Sequence, residues 1–120
     1  MSLDRFPSGG SAVGVDRPAP QELAGRMAAN APAAAAFLKA LSHEGRLMIL
    51  CHLAGGEKSV TELEDLLGQR QAAVSQQLAR LRLEGLVSTR RDGKAIYYAL
   101  RDGRVLALLR LLPELFARAA

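Results

Sequence analysis

The spacing of apolar positions along the chain predicts a run of helices interrupted once by a pair of strands. Gln21 to Leu41 is Ala-rich, with Leu23, Met27, Phe37, Leu38 and Leu41 available for an apolar face, and reads as a first helix. Pro32 marks a break or a restart within it. Ser42 is the expected N-cap of a second helix running from about His43 to Ala54. Its Leu47, Met48, Ile49, Leu50, Cys51 and Leu53 are too many for one stripe, so this helix should be largely buried before Gly55-Gly56 end it. Ser59 to Glu62 spells S-x-x-E, the capping box of a short third helix with Val60, Leu63, Leu66 and Leu67 inward and Gly68 at its close. Gln71 to Glu84 gives a fourth helix. Val74, Leu78 and Leu81 stand at i, i+4 and i+7 as one apolar stripe, and Gln71, Ser75, Gln76, Arg80 and Arg82 occupy the other side until Gly85 stops it.

The period then switches from helix to strand. Leu86–Arg91 and Lys94–Leu100 are β-prone runs joined at Asp92-Gly93, a strong hairpin signal. Asp102 caps a last helix from about Gly103 to Arg118, in which Pro113 should introduce a kink. Val105, Leu106, Leu108, Leu109, Leu111, Leu112, Leu115 and Phe116 cover nearly its whole circumference. A chain of 120 residues cannot bury every face of such a helix against itself, which calls for a partner chain. Residues 1–19 mix Gly, Ser, Pro and Asp without a period and are expected to form a flexible tail, leaving 20–120 as one domain with dimerisation helices at both ends. The fold class expected is mainly α with a small β-hairpin, in the order α-α-α-α-β-β-α.

Composition agrees with a helical core, since apolar residues make up 49% while Trp is absent and there are only two Tyr and three Phe. The net charge of +4 says little, but its placement says more. Arg70 to Arg104 holds eight basic and three acidic residues, a local excess larger than that of the whole chain. Concentrated positive charge is the footprint of a polyanion-binding face, or else an ordinary solvated surface. The single cysteine, Cys51, excludes an intrachain disulfide framework and a multi-cysteine metal site, and fits a cytoplasmic protein. No basic region followed by an apolar run opens the sequence, and no stretch is apolar enough to span a bilayer.

A short capped helix, a tight turn and a polar-faced helix make a helix-turn-helix whose second member enters the major groove of double-stranded DNA. Gln71, Ser75 and Gln76 can donate to and accept from base edges, and Gln pairs bidentately with adenine. Arg70 and Arg80 reach phosphate or guanine, while Arg90, Arg91 and Lys94 at the hairpin suit a wing over the backbone or in the minor groove. The bland alternative is a solvated helix and hairpin in some other small helical domain. A second is a winged helix that binds a protein partner, for which a stable monomer would speak. No nucleophile–base pair, paired carboxylates, phosphate-cradling Gly loop or metal cluster appears, so an enzyme is not expected and no cofactor is implied.

The stretch Leu41 to Leu100 resembles the ArsR/SmtB family of bacterial winged-helix repressors. The residues carrying the likeness are LSHEGRLMIL (41–50), VTEL (60–63), QAAVSQQLARL (71–81), EGLV (84–87) and RRDGKAIYYAL (90–100). The resemblance implies a homodimer through the first and last helices, repression by occupying an operator, and release on an inducing signal. Metal-sensing relatives use a C-x-C in the third helix or an Asp-x-His in the last, and here those positions read Ser59–Leu63 without a thiol and Asp102-Gly103-Arg104 without a histidine. His43 and His52, nine apart on the second helix, should face opposite ways, so no metal site is expected. The segment RLMILCHL (46–53) is similar to the thiol-based branch, which answers reactive sulfur species or oxidants. There a second-helix cysteine bridges to one in an ELFC-like ending, but this chain reads Glu114-Leu115-Phe116-Ala117. Three explanations for Ala117 stay open: an engineered replacement of cysteine, sensing through Cys51 alone, or loss of sensing. As a lone residue among aliphatics, Cys51 is equally read as a small buried hydrophobe.

Overall fold

A computed structural model describes residues 17–117, so most of the expected tail, and Arg118 at the expected end of the last helix, lie outside the described residues. The described residues fall in two units, one ending at Ala35 and one beginning at Ala36. In the first, a 3-10 turn (Pro20–Glu22) leads into α1 (Leu23–Met27), and α2 (Ala31–Leu41) starts after residues 28–30. The single first helix of the sequence reading is therefore divided. Pro32 sits in the first turn of α2, where a missing N–H costs no intrahelical bond, so it marks a restart.

The second unit contains the rest of α2, then α3 (Glu44–Ala54), β1 (Lys58–Ser59), α4 (Val60–Leu67), α5 (Gln71–Leu83), β2 (Val87–Asp92), β3 (Ala95–Leu100) and α6 (Gly103–Phe116). This is a winged helix-turn-helix, with a third strand that the sequence pattern did not reveal. β1 is two residues long, too short for a period, and pairs antiparallel with β3 to give the order β1-β3-β2. The hairpin loop is shifted by one residue from expectation. Asp92 pairs with Ala95, so the two loop residues are Gly93 and Lys94, and Gly93 takes the positive φ of 64° that the turn requires.

Ile49, Leu50, Leu63, Val74, Leu78, Leu81, Val87 and Val105 are fully buried and join α3, α4, α5, the sheet and α6 in one core. The α5 stripe falls where the spacing placed it. Leu66 does not; it is half exposed, at the rim of the face that buries Leu63. The cap of α3 also differs from expectation. His43 is the N-cap, its Nδ1 accepting from the N–H groups of Gly45 (3.1 Å) and Arg46 (3.4 Å). Ser42 instead closes α2, its hydroxyl donating 2.9 Å to the Lys39 carbonyl, one of the orphaned acceptors at that helix end. The capping box at Ser59 is present in full: Glu62 N–H donates to Ser59 Oγ at 3.1 Å and Ser59 N–H to Glu62 Oε1 at 2.8 Å.

Between α3 and α5 the Gln77 side chain fills the space that a side chain at Gly45 would need. A Cβ added to Gly45 would lie 2.4 Å from Gln77 Nε2, and the Gln77 carboxamide oxygen is buried without a donor among the described residues. Gly45→Ala alone is expected to cost about 1–2 kcal/mol, because overpacking outweighs the helix propensity gained. With Gln77→Ala also present, the same substitution should become neutral or stabilising by up to about 1 kcal/mol. Urea denaturation of the four chains measures the sign change; additive effects would refute the contact as the cause.

Candidate nucleic-acid interface

α4 ends on Gly68, whose φ of 65° lets its N–H return to the Glu64 carbonyl at 2.8 Å. Gln69 and Arg70 complete the turn, and α5 begins at once. Its N-cap is Arg70, which offers no side-chain acceptor, so the N–H groups of Gln71, Ala72 and Ala73 have no acceptor among the described residues. With Val74, Leu78 and Leu81 anchored in the core and Gln77 turned against α3, the opposite side of α5 is displayed outward.

At 100° per residue the outward side divides into strips. Gln71, Ser75 and Arg82 run along one edge, and Gln76 and Arg80 along the other. Between them lie Ala72, Ala79 and Leu83, all exposed. Gln71 and Gln76 are exposed and Ser75 half-buried. Arg80 is tied to Glu84 one turn on, at 3.1 Å, both groups open to solvent. The small central residues Ala72 and Ala79 were missed by sequence reasoning, which looked for polar groups. Their signal was the absence of bulk on an exposed face.

α5 contacts β2, so the wing emerges beside it. Strand alternation sends Val87 inward, and Thr89 and Arg91 share its face while Ser88, Arg90 and Asp92 take the other. Arg90 and Arg91 therefore point to opposite faces. Arg91, Lys94 and Arg70 are exposed and make no ion pair among the described residues. Arg90 is engaged. Its Nε lies 2.9 and 3.0 Å from the two Glu57 carboxylate oxygens, a second guanidinium nitrogen bonds Oε1, and the guanidinium sits 4.7 Å from the Tyr97 ring centroid. That pairing holds the Glu57 carboxyl below the usual carboxylate range. Glu57 and Arg90 are 33 residues apart, and no local pattern links them.

Cys51 is exposed on α3, and partial desolvation pushes its thiol pKa up rather than down. His43 and His52 do not face apart: His43 lies outside the helix as its cap, and both line an open cleft with Glu44, Met48 and Leu66. Among the described residues no group of three or more His, Cys, Asp or Glu is placed to hold a metal ion. Arg104 stacks over Phe37 at 4.7 Å and its Nε donates to Asp102 at 3.0 Å. The hydrogen bond from the Arg104 guanidinium holds the Asp102 carboxyl below its ordinary range, and its Oδ1 caps α6 by accepting from Arg104 N–H.

The pattern of the family described as bacterial regulatory protein, arsR family, matches residues 43–89. Over 93 residues the chain is 43% identical to the transcriptional activator HlyU of Vibrio cholerae, covering 78% of this chain and 86% of that protein. The chain belongs to the ArsR family. ArsR-family likeness extends to the biofilm growth-associated repressor of Agrobacterium fabrum, 48% identical over 82 residues, 68% of this chain and 70% of that one. Among solved structures, the transcriptional repressor BigR from Xylella fastidiosa superposes with a TM-score of 0.76 at 42% identity, covering 79% of this chain and 97% of that chain. Of these ArsR-family relatives, one is named a transcriptional activator and two are named repressors. Among the described residues no helix is long and apolar enough to cross a membrane.

Proposed function

We propose that two copies of this chain form a cytoplasmic homodimeric repressor that occupies an operator and leaves it on an inducing signal. The observation that carries this reading is the outer face of α5: polar edges on either side of a small central strip, next to a wing with two unpaired cations. Gln71, Ser75 and Gln76 read base edges, while Ala72 and Ala79 let the helix approach closely and contact thymine methyls. Arg70, Arg80, Arg91 and Lys94 grip phosphate, and the open N–H groups at the start of α5 suit the same ligand. Both end segments offer exposed apolar side chains for dimerisation, Leu23 and Met27 in one and Leu111, Leu115 and Phe116 in the other. Repression is supported by the relatives named repressors; an activator among them makes the sign of regulation part of the test.

In operator-binding titrations, Arg91→Ala and Lys94→Ala are each expected to weaken binding to all duplexes and to flatten the log–log salt slope by about 0.9. Gln71→Ala or Gln76→Ala should instead narrow the gap between operator and random DNA, by about 1–3 kcal/mol per lost base contact. Unchanged slopes in the wing variants would remove the backbone role. Cys51 is the only thiol, so a reactive sulfur species or oxidant that acts on a thiol acts there. Its exposure supports that route, while its raised pKa keeps the thiolate scarce at neutral pH and the reaction slow. The same titration after a sulfane-sulfur donor, with intact-mass analysis, decides it: no added mass and no lost affinity would leave the inducer elsewhere.

A further inference from the structure

We propose that Glu57 latches Arg90 of the wing in the DNA-free protein and yields it to a backbone phosphate on binding, so that Glu57 sets how tightly the wing grips. The inference rests on the DNA-binding reading above. Ser59 pairs with Tyr97 and Tyr97 with Arg90, so these three form a row on one face of the sheet. Glu57 lies just before β1, and its carboxylate reaches along this row to the Arg90 guanidinium. Nε and one terminal nitrogen of the guanidinium are thereby held on Glu57 and its plane lies over Tyr97, while the other terminal nitrogen stands 3.9 Å from Asp92, beyond hydrogen-bond reach.

A group buried in this arrangement would be a fixed structural brace, but this one is not buried. The Arg90 side chain is 53% exposed and that of Glu57 36%, so water reaches both and the pair is exchangeable. A phosphate offers the same two-oxygen acceptor as a carboxylate, so Arg90 keeps its fork on transfer while Glu57 returns to water. Arg91 and Lys94 need no such exchange. The wing thus carries two open cations and one held in reserve by an acid that must release it before it can meet a phosphate.

The test is binding to one fixed duplex across a salt series by the full chain, Glu57→Gln, Arg90→Ala and the double variant, with thermal melts as the folding control. Glu57→Gln keeps the size of the side chain and is expected to tighten binding by about 1.4- to 5-fold, the range an exposed ion pair covers. Arg90→Ala should reduce the salt slope by about 0.9, one phosphate contact, and abolish the gain from Glu57→Gln. Weaker or unchanged binding by Glu57→Gln would make Glu57 a positioning acid and overturn the latch. A gain that persists without Arg90 would reduce it to simple charge repulsion, and an unchanged slope in Arg90→Ala would mean that Arg90 never meets phosphate. If the parent chain binds no duplex at low salt, the DNA-binding reading itself falls and the latch with it; binding without the Glu57 effect sinks the latch alone.

Discussion

Leu78→Ala is expected to cost about 2–5 kcal/mol of stability, the range for a fully buried leucine truncated to alanine. Leu78 is the middle of the three buried positions of α5, flanked by Val74 and Leu81, and α5 packs on α3, α4 and β2 at once. The cavity would therefore open where three elements converge, with little freedom to collapse. Domains of this size hold roughly 5–15 kcal/mol in total, so the loss is a large share of the whole. Urea unfolding should show a lower midpoint with an unchanged slope. Operator affinity should fall as well, since α5 is the helix proposed to read DNA. The solvent-facing Ala79→Gly on the same helix gives the contrast, costing about 1 kcal/mol from propensity alone. A Leu78→Ala cost below that of Ala79→Gly would mean that the stripe does not anchor the helix.

What was legible in the sequence was whatever a local period encodes. The α5 stripe, the Ser59–Glu62 capping box, the hairpin and the helix order were each written within a dozen residues. What failed depended on partners far along the chain, or on competition between neighbours. β1 exists only because β3 lies beside it. Ser42 and His43 are both plausible caps, and the carbonyls left at the end of α2 claimed Ser42 and left α3 to His43. Leu66 fits an inward helical position, but a two-turn helix covers its core with Leu63 and leaves Leu66 at the rim. At the candidate site the residue types were readable, while their engagement was not. Arg90, Arg91 and Lys94 look equivalent in sequence, and only the folded position of Glu57, 33 residues earlier, separates the paired Arg90 from the other two. The signalling end was least legible. A lone exposed thiol with a raised pKa names a place where sulfur chemistry can occur, without the depressed pKa that marks a reactive site.

The other large effect concerns assembly. α6 buries only Val105 and Leu109 fully within its own chain. Leu108, Leu111 and Leu115 follow at three- and four-residue spacing along its flank; Leu111 is 42% and Leu115 45% exposed. Phe116, past the end of the core, is 77% exposed. A stripe of this kind continues into solvent what the core stripe begins, and the proposed occupant is the same helix of a second copy, since an isologous interface presents one patch to itself. Leu111→Lys combined with Leu115→Lys is expected to convert a dimer to a monomer in sedimentation. Helicity should persist, because Lys is nearly as good a helix former as Leu and favours the C-terminal end of the dipole. Operator affinity should drop by more than about 100-fold, because a monomer engages one half-site and loses the specific binding that two provide. The added positive charge works against that outcome by strengthening non-specific attraction to DNA, which makes the loss a stringent result. A parent chain that sediments as a monomer at tens of micromolar, or a double variant that keeps both its dimer and its affinity, would move the dimer surface away from α6.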